Sequence, residues 1–286
     1  FVHVKMKSGE RRLPVSDKKA ILNSKTNRVL GVVSRGYRLV KNTEALEWAY
    51  QCCTMVFPNT KPVEWEVKAS DAPQTGGHCF IDLVHNSSNL DFHLVDAKSR
   101  PDAFGPFIRV TNSYNGLRAL AFDVGFYRKV CQNGMIIPES VIRFKFNHMR
   151  RDIGNSLRFE IDNQKLSKLK DSFQDLVGGL KECRLPRAYF EILLRKVLAI
   201  HKPKDIENID NKISADWKLL NNHLGLLCDR YFMDLGDNAY AAFNALTDFA
   251  SHPPENRCLH RDRHSMQRLA GEWLAKFSQE CRQSSF

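Results

Sequence analysis

The chain has 286 residues, of which 43% are hydrophobic and 26% are charged. This balance predicts a soluble globular protein rather than a disordered one, and the length allows one large domain or two of ordinary size. No apolar run approaches the roughly 20 residues of a membrane span, so we expect no membrane association, and the net charge of +11 favours phosphate-bearing or acidic partners.

The first half of the chain is dominated by short segments typical of β-strands. Residues 28–40 predict a hairpin, and Asn42 or Thr43 then caps a predicted helix that runs through Cys53. The apolar residues of this helix recur at helical spacing. Three more strands are expected, over residues 63–69, 78–85 and 92–98.

The stretch from residue 107 to residue 148 predicts three strands joined by two turns. Asn115-Gly116 between apolar runs is typical of a hairpin turn, and the return strand covers residues 117–130. Asn133-Gly134 predicts a second tight turn. The third strand, residues 141–146, alternates apolar and cationic side chains, which indicates one buried face and one positive face.

Beyond residue 150 the apolar residues change from alternation to a helical period. A first helix is expected to end at Gly178-Gly179. Four more helices are expected, over residues 187–201, 213–231, 238–250 and 261–281. We therefore predict an α+β protein, with a β-rich module containing one helix over residues 1–150 and a helical module over residues 151–286.

Three stretches carry a resemblance to a known family. They are Val130-Cys131-Gln132-Asn133 after the hairpin at residues 112–116, the segment 30–45, and the segment 239–247. In pattern and order, over roughly residues 28–275, the chain resembles a phage/plasmid-like family of unknown function, whose members occur in prophages, plasmids and phages. The resemblance implies a mobile-element protein and supplies no catalytic residues.

Eight cysteines are scattered along the chain without paired spacing. Disulfide frameworks are denser in cysteine and belong mostly to small secreted domains. We therefore expect a reducing compartment, the cytoplasm of a bacterial host.

Motifs of the common enzyme classes are missing from the sequence, including phosphate-binding loops and the Gly-x-Ser-x-Gly and His-Glu-x-x-His signatures. Glu66 and Lys68, or Asp96 and Lys98, match the carboxylate and lysine that metal-dependent nucleases use. Such short matches arise by chance in most charged strands. We expect no enzymatic activity, no metal and no cofactor, with a nuclease as the minor alternative.

Basic residues form the pattern that bears most on function. One run leaves the sheet at the third strand and continues into the first long helix. Its members are the candidate nucleic-acid-binding residues Arg143, Lys145, Arg150, Arg151, Arg158, Lys165 and Lys168. Phe126, Tyr127, Phe144, Phe146 and Phe159 interleave the run, and a positive groove with stacking aromatics is how proteins hold single strands. The alternation with Arg143 and Lys145 favours the sheet core for these rings instead.

The leading hypothesis is a non-enzymatic mobile-element protein that binds or anneals single-stranded DNA as an oligomer, without sequence preference. The alternative is an antagonist that binds and encloses a host defence protein complex. Both functions need broad surfaces, and neither needs a catalytic site.

The last predicted helix, residues 261–281, carries one apolar stripe. Its members recur at three- and four-residue spacing. Such a stripe covers either the protein's own helical module or another copy of the chain. We predict a homo-oligomer with Leu269, Trp273 and Phe277 at or beside its interface.

Overall fold

The computed structural model of the chain describes residues 2–6, 9–13, 15–72, 75–95, 101–129, 133–135, 143–149, 163–204 and 211–283.

The described strands all precede residue 147. They are β1 (Val2–Met6), β2 (Gly9–Leu13), β3 (Lys18–Asn23), β4 (Arg28–Ser34), β5 (Trp65–Asp71), β6 (His78–His85), β7 (Phe92–Val95), β8 (Pro101–Ser113), β9 (Leu120–Arg128), β10 (Asn133–Met135) and β11 (Arg143–Phe146). The helices are α1 (Asn42–Val56), α2 (Asn163–Glu182), α3 (Ala188–Leu198), α4 (Asn211–Leu235), α5 (Ala239–Ser251) and α6 (Arg263–Gln283). The predicted α+β class, with strands first and helices last, is confirmed.

Within the described residues, seven strands form one sheet in the order β10-β9-β8-β6-β5, with β11 also paired to β9 and β7 to β8. The pairs β10–β9 and β7–β8 are antiparallel. Two smaller antiparallel pairs, β1–β2 and β3–β4, stand outside this sheet. The expected hairpin around residues 28–40 is therefore formed by β4 with the strand before it, and not by β4 with residues 37–40.

The hairpin at residues 112–116 is confirmed, and Gly116 takes the positive φ of 73° that a residue with a side chain rarely adopts. The second turn prediction was wrong in its position. Asn133 pairs with Arg128, and Gly134 pairs with Tyr127, so both are strand residues of β10. Pairing to a neighbouring strand here overrides the local preference of Asn-Gly for a turn.

The middle of the sheet packs through an aromatic cluster. Phe92, Phe104 and Phe126 come from β7, β8 and β9, and Phe173 comes from α2. Their ring centroids lie 4.9–5.8 Å apart, from the T-shaped pair Phe92–Phe126 to the pair Phe92–Phe173. Rings at these distances add edge-to-face attraction to the burial of large apolar surface. The prediction that this helix ends at Gly178-Gly179 was wrong, because α2 continues to Glu182 and neither glycine has the positive φ of a helix-ending residue.

Helix α5 is the central helix of the helical part. Twelve of its thirteen residues are buried, as expected for a helix that is apolar on all sides. Asn238 caps it, since its side-chain oxygen accepts a hydrogen bond from the Ala241 backbone N–H at 2.8 Å. Gly236, with φ 89°, ends α4 just before this cap.

The chain divides into two compact units. The first comprises Phe1–Leu83, Ile108–Phe122 and Arg143–Glu160, and the second comprises Val84–Phe107, Asp123–Ile142 and Ile161–Phe286. The second unit thus takes in two stretches from before residue 150 as well as the helices α2–α6. None of the helices in the described ranges combines the length and apolar character needed to cross a membrane.

Candidate functional site

The connection between β8 and β9 is held by the side chain of Asn112, which is fully buried. Its amide nitrogen donates to the Val40 carbonyl oxygen and to Asn42 Oδ1, both at 2.9 Å. Its amide oxygen accepts from the Ser113 backbone N–H at 2.9 Å. These three hydrogen bonds of a buried amide fix the position of the segment before α1 relative to the end of β8.

Two tyrosine hydroxyls complete this junction. Tyr37 Oη donates to the Ser113 carbonyl oxygen at 2.5 Å, and burial raises the pKa of Tyr37 to about 12, so that its hydroxyl keeps its proton. Tyr114 Oη accepts from the backbone N–H of Asn42, the first residue of α1, at 3.0 Å. The helix was expected to be capped by Asn42 or Thr43. Instead, Lys41 occupies the cap position without a side-chain bond, and Tyr114 satisfies the free N–H.

Two glycines, Gly31 and Gly77, lie in close contact with this loop. The backbone N–H groups of Tyr114 and Asn115 donate to the Gly77 carbonyl oxygen at 2.7 and 3.1 Å. A Cβ added at Gly31 would lie 2.4 Å from Asn115 Cα, and one at Gly77 would lie 2.6 Å from Asn115 Nδ2. The backbones therefore approach more closely than any side chain would permit.

Beside this loop the first unit has an open cavity of about 600 Å³, within the range of small-molecule sites. We call it the basic pocket. It is lined by Lys18, Val32, Val33, Ser34, Tyr37, Asn115, Gly116, Leu117, Arg118, Ala119, Lys145, Asn147, His148 and Met149.

Three cations and no carboxylate belong to this described lining. Lys18 makes only a 3.6 Å contact with Asp17, and both side chains are largely exposed, so water screens the pair. The guanidinium of Arg118 lies 5.1 Å above the ring of Phe80, which orients it without neutralising its charge. Lys145 is exposed on β11. The pocket therefore has a net positive charge.

His148 supplies a neutral group in the same lining. Its ring stacks on Tyr37, with centroids 4.6 Å apart, and its Nδ1 lies 3.1 Å from the Arg38 carbonyl oxygen. A carbonyl only accepts hydrogen bonds, so Nδ1 carries the proton and Nε2 carries the lone pair. Burial lowers the pKa of His148 below its usual value of 6.5. At neutral pH the residue is therefore an uncharged imidazole, and its Nε2 is enclosed without a hydrogen-bond partner among the described residues.

Only part of the predicted basic run meets at this pocket. Lys145 lines it, and Arg143 begins the same strand. Lys165 and Lys168 occupy positions in α2, which belongs to the second unit. Arg150, Arg151 and Arg158 lie outside the described residues. The sequence did not predict that Lys18 and Arg118 lie near Lys145, because nothing in a local pattern relates positions this far apart.

Three of the five aromatic residues of the predicted groove belong to the core. Phe126, Tyr127 and Phe146 are buried, and the ring of Phe146 packs 6.1 Å from that of Phe122. Phe144 is half-buried, and Phe159 lies outside the described residues. The alternation of residues 144–146 between core and solvent is confirmed, and the three buried rings cannot stack on bases.

The apolar stripe of the last helix lies on α6. Met266, Ala270 and Leu274 are buried. Trp273 stacks on Phe243 of α5, with centroids 6.2 Å apart, and Phe277 lies 4.9 Å from Trp273. Leu269, Trp273 and Phe277 keep part of their surface exposed. Much of the stripe is thus covered by the same chain, and its predicted role in an oligomer interface stays a prediction.

Glu66 and Lys68, which were considered for a nuclease, do not line the basic pocket. Glu66 and Lys68 lie exposed on β5, whereas Asp96 and Lys98 lie outside the described residues. A search of the described part of the chain finds no group of three or more His, Cys, Asp or Glu side chains arranged to hold a metal ion. Six cysteines are described as free thiols, namely Cys52, Cys53, Cys79, Cys183, Cys228 and Cys258.

Comparison with known proteins gives one result. No curated protein and no solved structure matches the chain. A family model does match it, over residues 29–271, and that span includes the loop at residues 112–116 and most of the pocket lining. The chain therefore belongs to the family described as Domain of unknown function (DUF932).

Proposed function

We propose that this protein binds single-stranded nucleic acid through its phosphate groups, without sequence preference, at the basic pocket. The observation that carries the proposal is the grouping of Lys18, Arg118 and Lys145 around one cavity whose described lining has no carboxylate. Three cations around a concave surface whose described lining has no carboxylate attract a polyanion and repel other cations.

Each cation would contribute in its own way. Lys18 and Lys145 are point charges on flexible stems, which follow a phosphate wherever it sits in the pocket. Arg118 presents a planar guanidinium that can donate hydrogen bonds to two phosphate oxygens, and its contact with the ring of Phe80 means that its side chain loses less conformational freedom on binding. Contacts of this kind position a nucleic acid chain but carry no sequence information.

A single strand suits the pocket better than a duplex. Double-stranded DNA stays stiff over about 50 nm, so its phosphates cannot bend individually into a local cavity. A flexible strand can direct one or two phosphates inward while its bases stay outside. The burial of Phe126, Tyr127 and Phe146 removes the stacking platform that many single-strand binders use. Electrostatic attraction therefore supplies the affinity.

The test compares fluorescence anisotropy of labelled single-stranded oligonucleotides with wild type and two triple variants. K18Q/R118Q/K145Q removes the pocket charges. K25Q/R28Q/K41Q removes the same charge from exposed positions of the first unit that do not line the pocket. Thermal unfolding of both variants checks that they fold.

We expect only the pocket variant to lose affinity, and we expect a homopolymer and a mixed sequence to bind wild type alike. With three cations, the slope of log K against log salt should change from about −2 to near zero in the pocket variant. Equal losses in the two variants would mean that net charge alone drives binding, and the pocket assignment would fail. Absence of binding by wild type at low salt would overturn the proposal and leave a protein partner as the remaining hypothesis.

A further inference from the structure

The basic pocket is lined by exposed apolar side chains in addition to its three cations. They are Val32, Leu117 and Met149, and each is more than half exposed to solvent. Small-molecule sites combine apolar walls with a few polar groups that fix the orientation of the ligand. The ligand that suits this lining therefore carries an apolar part as well as negative charge.

The apolar side chains lie next to the cations within the pocket. Leu117 directly precedes Arg118 in the chain. Lys18 and Val32 lie on the same face of the β3–β4 pair, because Lys18 is opposite Ser34, which is two residues along the strand from Val32. A ligand must therefore present its charge and its apolar part close together, as a nucleotide does with its phosphate and its base.

The volume of the pocket limits how much of a strand can enter it. The cavity of about 600 Å³ is the size of a site for one small molecule. Grooves that bind along a single strand hold more, about 4–16 nucleotides in one OB-fold domain. The pocket therefore holds about one nucleotide and the phosphate that follows it.

The charge of the lining distinguishes the end of a strand from its interior. One internal nucleotide brings about one or two negative charges, since each phosphodiester carries one. A terminal phosphomonoester carries about two charges, and the diester next to it adds another. The described lining has three cations and no carboxylate, and the lowered pKa of His148 keeps that residue neutral. A phosphorylated strand end balances this charge, and an internal segment does not.

We infer that the basic pocket binds the phosphorylated end of a single strand, with the terminal phosphate among the three cations and the terminal base against Leu117. The inference rests on the proposed function, because it names the part of the strand that enters the pocket. A base of any kind can cover an aliphatic side chain, so binding at a strand end remains independent of sequence.

Fluorescence anisotropy with one oligonucleotide sequence in four forms tests the inference. Three forms are linear and carry a 5′-phosphate, a 3′-phosphate or hydroxyls at both ends, and the fourth is closed into a circle. The dye is attached to an internal base, and at pH 8 the monoester carries both of its charges. We expect at least one phosphorylated form to bind wild type about tenfold tighter than the hydroxyl form and the circle, because of its additional charge near the cations.

Variants separate the contact with the base from the contact with the phosphate. Leu117→Ser should weaken binding of the phosphorylated form about fivefold and leave binding of the circle unchanged. Val63→Ser is the matched control, because Val63 is exposed to the same degree as Leu117 and does not line the pocket. It should bind every form as wild type does. K18Q/R118Q/K145Q should bind the four forms with equally low affinity.

The possible failures are distinguishable. Equal binding of the four forms by wild type, lost in K18Q/R118Q/K145Q, would overturn the inference but support the proposed function. Absence of binding of every form would overturn both. A nucleoside 3′,5′-bisphosphate that competes as strongly as the phosphorylated strand would show that the pocket takes free nucleotides, which would overturn the assignment to a strand end. Wild-type affinity of Leu117→Ser for the phosphorylated form would overturn the contact with the base.

Discussion

The loop at residues 112–116 and the cations of the basic pocket are neighbours in the first unit, and they use their polar groups in opposite ways. The side-chain amide of Asn112 donates hydrogen bonds to Val40 and Asn42 and accepts one from Ser113. Lys145 and Arg118, in contrast, line a pocket whose described lining contains no carboxylate to neutralise them. The difference separates residues that build the site from residues that are available to a ligand. Substitutions in the loop should therefore cost stability, and substitutions of the cations should cost binding.

The largest effect on stability is expected for Asn112→Ala. It leaves two acceptors and one donor without partners in a buried place, which should lower the free energy of unfolding by about 3 kcal/mol. Urea unfolding measures the change. Lys145→Gln is the control and should change stability by less than about 0.5 kcal/mol. Equal effects of the two substitutions would remove the distinction between loop and cations.

A smaller loss, about 2 kcal/mol, is expected for Gly31→Ala, because the new Cβ would overlap backbone atoms that cannot move independently. Gly178→Ala in α2 is the matched control. Its Cβ meets nothing within 4 Å, and alanine favours the helix by roughly 0.8 kcal/mol, so this variant should gain stability. If Gly31→Ala were as stable as wild type, the backbone at Asn115 would be able to move away from residue 31 at little cost in free energy.

The smallest effect concerns His148, which stacks on a loop-binding tyrosine and also lines the pocket. Its pKa is lowered in the folded chain, so below pH 6.5 the unfolded chain binds more protons than the folded one. The stability that neutral His148 contributes is thus fully present above pH 6.5 and is lost as the pH falls towards the lowered pKa.

The expected loss in this window is at most about 1.4 kcal/mol per pH unit. Urea unfolding at pH 7.5 and pH 5.5 should show a weaker pH dependence for His148→Gln than for wild type. The difference between the two proteins isolates His148 from the carboxylates that titrate in both. Identical pH dependence would show that burial of the ring has no effect on its protonation.

Local patterns predicted most of the elements. The helices predicted over residues 187–201, 238–250 and 261–281 are α3, α5 and α6, each displaced by no more than three residues at either end. The alternation around Lys145 correctly separated core from solvent. These predictions succeeded because helical period and strand alternation are properties of a short window of sequence.

Predictions that depended on a neighbouring strand were less reliable. Asn133-Gly134 was assigned to a turn, yet hydrogen bonding to β9 makes both residues part of a strand. The strand predicted from residue 107 begins at Pro101, where β7 pairs with it. A window of sequence contains no information on the partner strand, and the partner decides where a strand begins.

By itself, the sequence determined that this is a basic α+β protein with strands first and helices last, and that Lys145 faces solvent. Tertiary structure alone decided that Lys18, Arg118 and Lys145 surround one cavity, and that much of the apolar stripe of α6 is buried while Leu219, Leu226 and Met233 of α4 are exposed. The physical reason is the same in each case. Amphipathic spacing indicates that one face of an element is apolar or charged, but only the packing of distant segments determines what that face contacts.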